Sequence, residues 1–205
     1  MKLPCVLQFR VLKEAIKAAF VGPYTQRFPF KPHTPEEGFK GKPEFREKDC
    51  MGCAACSQVC PPGAITFEDI NDNGKAVRKL TLQHDMCIFC GQCQANCPTE
   101  KGVVLTKEFD LAVLKGRREV TSEVEKELIK CDCCDEIIAP RDQILWVAKK
   151  LGALAFSNAS LMLFTLQHKS LSKQRDSKKP SENLLRADRL RVLCPRCRRE
   201  AVVKS

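Results

Sequence analysis

The sequence predicts an α+β fold: a small module built on a cysteine repeat, preceded by an amphipathic helix and followed by a helical extension with a second cysteine site. Three observations lead there. CMGCAACSQVCP at Cys50 to Pro61 recurs as CIFCGQCQANCP at Cys87 to Pro98, 37 residues on and with identical cysteine spacing, and each copy runs into a short β-like stretch. Residues 3 to 20 carry apolar side chains at helical spacing. Two further Cys-x2-Cys pairs, Cys131/Cys134 and Cys194/Cys197, follow the repeat.

The chain has 205 residues, 43% of them apolar, enough for one large or two small domains, and fourteen cysteines. A disulfide framework needs an oxidising compartment, yet MKLPCVLQFRVLKEAIKAAF shows no uninterrupted apolar run and no small-residue cleavage site. A secreted disulfide scaffold is therefore not expected. Leu151 to Gln167 contains Ser157, Asn158 and Ser160 and falls short of the roughly 20 apolar residues a spanning helix needs. The reading is an intracellular chain whose thiols serve metal. Charge fits this: 35 basic against 25 acidic residues give +10, but thiolate-held metal sites at about −2 each would bring the total to about +4. The excess is concentrated in His168 to Ser205, with twelve Lys or Arg against four Asp or Glu.

In chain order, Leu3, Leu7, Leu12, Ile16, Ala19 and Phe20 form one helical face, which should end at Val21, Gly22, Pro23. An extended arm follows to Lys48, with five prolines and the phenylalanines Phe28, Phe30, Phe39 and Phe45, which need a packing partner. Between the cysteine motifs, Asn71, Asp72, Asn73 and Gly74 predict a hairpin turn, with weak alternation from Val77 to Leu82. Val103 comes one position later after its Cys-Pro than Ile65 does, which predicts a bulge. From Glu108 the pattern reads as helical, with Ser122 and Glu125 as a capping box. A further helix from about Arg141 should bury Ile144, Leu145, Ala148 and Leu151, and residues 168 to 190 should form a solvated loop.

A [4Fe-4S] cube takes four thiolates, and Cys-x2-Cys-x2-Cys can curl round one face to supply three. In two-cluster ferredoxins the cysteine of the Cys-Pro continuation ligates the other cluster. On that rule Cys50, Cys53, Cys56 and Cys97 hold one cube, and Cys87, Cys90, Cys93 and Cys60 the other. Gly52 and Gly91 offer close backbone approach. The pairs Cys131/Cys134 and Cys194/Cys197 suit a zinc-ribbon-like tetrathiolate site, filled by zinc or by a single iron. Cys5 reads as an apolar helix residue, and Cys133 as an unliganded neighbour or alternative ligand. His84, three residues before Cys87, is a loop histidine or a tuning hydrogen-bond partner; His33 and His168 should be solvated. No nucleophile with a paired base, phosphate loop or dinucleotide fingerprint is found, so the chain alone should not be a catalyst.

With GFKGKPEF before Cys50, CMGCAACSQVCPPGAI, CIFCGQCQANCPT, and the later CDCC and CPRC pairs, the chain resembles the two-cluster ferredoxin subunit of respiratory complex I and of the related membrane-bound [NiFe] hydrogenases. Within that group it is most similar to formate hydrogenlyase iron–sulfur subunits. The resemblance implies a bacterial-type 2[4Fe-4S] ferredoxin fold and a peripheral subunit on the cytoplasmic side of the membrane. It also implies partnership with catalytic and small iron–sulfur subunits. The complex I counterpart ordinarily lacks the C-terminal cysteine pairs. Those pairs therefore favour the hydrogenase branch or a relative with another acceptor, such as sulfane sulfur.

The expected organisation is a docking helix at 1–22 that meets the membrane surface or a partner, an arm at 23–48, the ferredoxin domain at 49–107 and the extension at 108–205. A free soluble ferredoxin would need little beyond the module of about 60 residues. A nucleic-acid binder would interleave aromatics with the basic tail, and from His168 onward there are none, so no nucleic acid is expected.

Overall fold

The computed structural model describes residues 9–22, 25, 27–72, 75–113, 120–169 and 191–203. The chain divides into two compact units, Met1–Phe39 and Lys40–Ser205. In the first, α1 (Phe9–Val21) is amphipathic, with Phe9, Leu12, Ile16 and Phe20 all exposed. It stops where the sequence indicates: Gly22 takes φ +88° and its N–H donates to the Ala18 carbonyl at 3.0 Å, a left-handed C-terminal cap. Leu3, Cys5 and Leu7 lie outside the described residues. Phe30 is 93% exposed.

The second unit holds two antiparallel sheets. β1 (Pro43–Phe45) pairs with β4 (Val103–Leu105). β2 (Ile65–Asp72), β3 (Lys75–Gln83), β5 (Thr121–Lys130) and β6 (Ile137–Pro140) form a sheet in the order β2-β3-β5-β6. The hairpin between β2 and β3 is present, with its tip residues Asn73 and Gly74 outside the described residues. Two one-turn helices, α2 (Ala55–Gln58) and α3 (Gln92–Ala95), carry cysteines of the two motifs and pack on each other. Phe45 packs against two of the small cores of this unit: Ala64, Ile65, Leu82 and Val103 in one, Ala54, Leu80 and Val124 in the other.

Three expectations fail for identifiable reasons, two of them before Arg141. The predicted bulge at Val103 is absent, since β1 and β4 pair without a register shift. The extra residue is taken up in the preceding turn, where Glu100 adopts φ +60°. Among the described residues the first element of the extension is a strand, not a helix: Ser122 and Glu125 lie in β5 and cap nothing. TSEVEKELIK alternates with period two, burying Val124, Lys126 and Leu128 and pointing Glu123, Glu125 and Glu127 outward. Lys79 of β3 reaches Glu123 at 2.7 Å. The charges that mimic a helical face are one side of a sheet.

Beyond β6, α4 (Arg141–Leu151) starts where predicted, runs into a 3-10 turn (Gly152–Ser157) and is followed by α5 (Ala159–His168), capped by the Asn158 side chain on the Leu161 N–H at 3.2 Å. Ala148 is buried and Ile144 and Leu145 are half-buried. Leu151, predicted to be buried, is exposed because it is the last helical residue before Gly152 redirects the chain at φ +56°. His168 is exposed, but its Nδ1 lies 3.3 Å from an Arg141 nitrogen in a hydrogen bond. Residues 170–190 of the predicted loop lie outside the described residues, and α6 (Pro195–Val203) closes the unit. Among the described residues no helix is long and apolar enough to cross a membrane.

Candidate functional site

Two small cavities flank the ferredoxin core, and their linings sort the eight motif cysteines. Cys50, Cys53, Cys56 and Cys97 line the first, with Met51, Ala54 and Gly102. Cys60, Cys87, Cys90 and Cys93 line the second, with Pro62, Phe89 and Leu105. Each cavity thus collects three thiols from one motif and the fourth from the other. The crossing follows from the fold, because the packed α2 and α3 and the β1–β4 pair draw the end of each motif towards the start of the other. A wider groove beside β3, β5 and α5 mixes Lys75, Lys130 and Arg141 with Glu127 and Asp135 and meets one cysteine, Cys131.

The loops achieve this curvature with left-handed backbone at two positions each: Gly52 (φ +72°) and Ala54 (φ +59°) in the first, Phe89 (φ +52°) and Gly91 (φ +81°) in the second. Turns of this hand aim backbone N–H groups inward. The Phe89 amide donates to Cys87 Sγ at 3.4 Å. Thr99 Oγ1 lies 3.3 Å from Cys97 Sγ and accepts from the Gly102 amide at 3.0 Å. A Cβ on Gly102 would stand 3.1 Å from Cys97 Sγ, so this glycine keeps the cavity open.

The thiols are poorly suited to remain as they are. Burial, then the neighbouring charge of Cys50, Cys53 and Cys93, pushes the Cys56 thiol up to about 12. Burial likewise raises Cys50, Cys87 and Cys93. At Cys97 burial also acts upward, but the Thr99 hydroxyl and the amides of Thr99, Gly102 and Val103 outweigh it and leave the thiol lowered. Converging thiols that resist ionisation suit a cationic iron–sulfur core, which supplies the missing positive charge. The residues therefore fit two cubes.

The second set converges as well. Sγ atoms of Cys131, Cys134, Cys194 and Cys197 all lie within 4.8 Å of one another, with Cys134 and Cys194 at 3.7 Å. Tetrahedral coordination at about 2.3 Å per sulfur implies S···S near about 3.8 Å. Cys131 and Cys134 sit in the turn after β5, with Asp135 at φ +57°; Cys194 precedes α6, whose first residue is Pro195. Knuckle amides serve the sulfurs: Cys194 N–H donates to Cys131 Sγ at 3.3 Å and Cys197 N–H to Cys194 Sγ at 3.4 Å. The two halves, 60 residues apart, are laced together by Asp132, whose carboxylate accepts from the Val192 amide at 2.9 Å. Buried Ser160 of α5 accepts from the Leu193 amide at 3.0 Å. Cys133 packs beside this cluster but is not one of the four.

His84 is a turn residue, as one reading of the sequence has it, yet it is buried. Its Nε2 lies 2.8 Å from Ser122 Oγ, its Nδ1 has no hydrogen-bond partner, and its carbonyl accepts from the Cys87 amide at 3.2 Å. His33 is half-buried. Sequence reasoning missed Thr99, Gly102, Arg78, Lys126, Asp132 and Ser160. Only Gly102, a glycine just past a Cys-Pro, carried a local signal.

Residues 49–101 match the 4Fe-4S dicluster domain family. Formate hydrogenlyase subunit 6 of Escherichia coli (strain K12) is 30% identical over 136 residues, spanning 66% of this chain and 72% of that protein. NADH-quinone oxidoreductase subunit I 2 of Geobacter metallireducens is 33% identical over 110 residues, 51% of this chain and 83% of that one. Among solved structures, a chain of the membrane-bound sulfane sulfur reductase, an archaeal respiratory membrane complex, is similar at 24% identity and TM-score 0.38, covering 58% of this chain and 62% of that chain. The chain belongs to the family of two-cluster iron–sulfur electron-transfer subunits of complex I-related complexes that includes formate hydrogenlyase subunit 6 and NADH-quinone oxidoreductase subunit I.

Proposed function

We propose that this chain passes electrons, one at a time, between the catalytic and small iron–sulfur subunits of a membrane-bound, complex I-related oxidoreductase of hydrogenase, formate hydrogenlyase or sulfane sulfur reductase type. Cys50, Cys53, Cys56 and Cys97 hold one [4Fe-4S] cluster and Cys60, Cys87, Cys90 and Cys93 the other. The observation that carries the reading is the crossed sorting of the eight thiols into two cavities. Each cluster, when bound, supplies a one-electron redox centre. The protein's part is to hold the pair at fixed separation, and Cys56 on α2 and Cys93 on α3 bring one sulfur of each set into electrostatic reach of the other.

The tetrathiolate site holds zinc or a single iron in a closed, zinc-ribbon-like shell and ties the turn after β5 to the end of the chain. Residues 1–22 dock the subunit at the cytoplasmic face of the membrane or on a partner, with Lys13 and Lys17 beside the exposed apolar stripe. Elemental analysis of anaerobically prepared protein tests the cofactor content. About eight cluster irons, eight acid-labile sulfides and one further metal per chain are expected; about four sulfides would remove one cluster.

A further inference from the structure

The repeat makes the two cysteine loops near copies, yet the structure surrounds them differently. Offset by 37 residues, Gly52 corresponds to Phe89 and Ala54 to Gly91. All four are left-handed, so backbone conformation alone does not decide where the glycine goes. Packing does. A Cβ on Gly52 would meet Lys126 Cβ at 2.9 Å and Cγ at 3.0 Å, whereas one on Gly91 would meet Leu105 Cδ1 at 3.1 Å. The first loop is shaped to receive a lysine from β5, and the second is shaped to receive a leucine from β4.

Lys126 is not alone. It stands directly opposite Arg78 across the β3–β5 ladder, on the same face of the sheet. Arg78 Nη1 donates to the Gly52 carbonyl at 3.1 Å, while Lys126 Nζ donates to the Glu47 carbonyl and to Asp142 Oδ2, the latter at 3.0 Å. Two like charges opposite each other are tolerable because each has its own acid. Asp69 grips Arg78 with both oxygens, at 2.7 and 2.9 Å, and Asp142 pairs with Lys126. The cationic side chains are 14% and 10% exposed, whereas Asp142 is 47% exposed and its charge is better screened. Among the described residues, the second loop has one comparable contact, exposed Lys40 on the Cys90 carbonyl at 3.3 Å.

Reduction adds one electron, and so one negative charge, to a cluster without forming or breaking a covalent bond. A desolvated cation nearby favours that extra charge, and local charge and solvent exposure are among the factors that set cluster potentials. We propose that Lys126 is a potential-setting residue that makes the cluster held by Cys50, Cys53, Cys56 and Cys97 the more readily reduced of the two. It holds the transferred electron on the side covered by the chain's own extension. This rests on the two-cluster reading, and Lys126 acts through the field it places at the loop, not by touching the cluster.

The test is an EPR-monitored redox titration of the full-length, cluster-loaded protein with dithionite as reductant. The two signals are assigned beforehand with ligand variants. In Lys126→Met, which keeps the aliphatic stem against Gly52, the first cluster's reduction constant should fall about tenfold, equivalent to about 59 mV for one electron. The second cluster should move less than threefold. Lys126→Arg should restore the first. Asp142→Asn, which removes the counter-charge, should move the same signal the opposite way. If Lys126→Met fails to load clusters, Asp142→Asn decides alone: an unmoved or lowered potential overturns the proposal. Absence of either signal in the unsubstituted protein would instead overturn the two-cluster reading.

Discussion

Gly52 is pressed against the stem of Lys126 so closely that a methyl group on its Cα would stand 2.9 Å from Lys126 Cβ and 3.3 Å from Pro140 Cβ, at φ +72°. Gly63 also has a positive φ, +66°, but faces open space. The pair separates backbone strain from packing. Gly63→Ala should cost about 1 kcal/mol, for the left-handed conformation alone, and Gly52→Ala about 2–3 kcal/mol because β5 must also move. Anaerobic chemical denaturation of cluster-loaded protein measures both. Equal costs would show that the loop does not bear on Lys126.

How much of this was legible in the sequence depends on the range of the signal. Cysteine spacing is local, and with the ligand exchange of two-cluster ferredoxins it groups the eight motif cysteines as the two cavities do, while the apolar residues lining those cavities had no such signal. The β2–β3 hairpin was equally readable, because its turn residues and alternation are neighbours. The strand β5 was not, since Glu123, Lys126, Glu127 and Lys130 imitate the i, i+3, i+4 charge pairing of a helix, and only the partner Leu80, across the ladder from Val124, shows which period applies. Lys126 was invisible for the same reason. A lysine on an exposed face and one buried under a cysteine loop look alike until the sheet places Gly52 against it.

The proposed crossed ligand sets predict a non-local phenotype. Cys97 belongs to the second motif but lies with Cys50: a Cβ on Gly102 would touch both Cys97 Sγ and Cys50 Cα, at 3.1 and 3.2 Å. Cys97→Ser should therefore alter the EPR signal of the cluster held by the first motif and leave the other near its normal line shape. A change confined to the cluster of Cys87, Cys90 and Cys93 would refute the exchange.

Burial first, and the Lys42 charge second, hold the His84 pKa below its ordinary value. The folded protein therefore resists protonating this ring, while the unfolded chain takes up the proton as pH falls through about 6.5. Stability associated with neutral His84 is present above that pH and is lost below it. His84→Gln should flatten the stability profile between pH 7.5 and 5.5 relative to the parent, in equilibrium denaturation curves. Parallel profiles would show that His84 does not titrate on unfolding.

The helix α1 has no buried residue and exposes a stripe of phenylalanine, leucine and isoleucine. Deleting residues 1–22 should leave cluster content unchanged while releasing the subunit from membranes during fractionation. Loss of iron and sulfide on deletion would show that the helix is required for the ferredoxin fold.

The four-cysteine site joins Cys131 and Cys134 to Cys194 and Cys197 across 60 residues, supported by hydrogen bonds of Asp132 and Ser160 and by packing with Leu193 and Ala201. A closed shell of four thiolates leaves no position for substrate, so its proposed role is to bind the end of the chain to the sheet. Cys194 is the critical member: it is 2% exposed, its sulfur lies 3.7 Å from Cys134 Sγ, and its amide serves Cys131. Cys194→Ser should release about one metal per chain and destabilise the extension by more than about 4 kcal/mol, loss of a structural metal being one of the few changes that exceed that value. The first-motif cluster should keep its potential, because Lys126 is anchored by Glu47 and Asp142 and not by the metal. Metal analysis, thermal unfolding and the EPR titration read these three effects separately. A variant that assembles with both cubes reducible but delivers no electrons would make the site a third redox centre instead of a clasp.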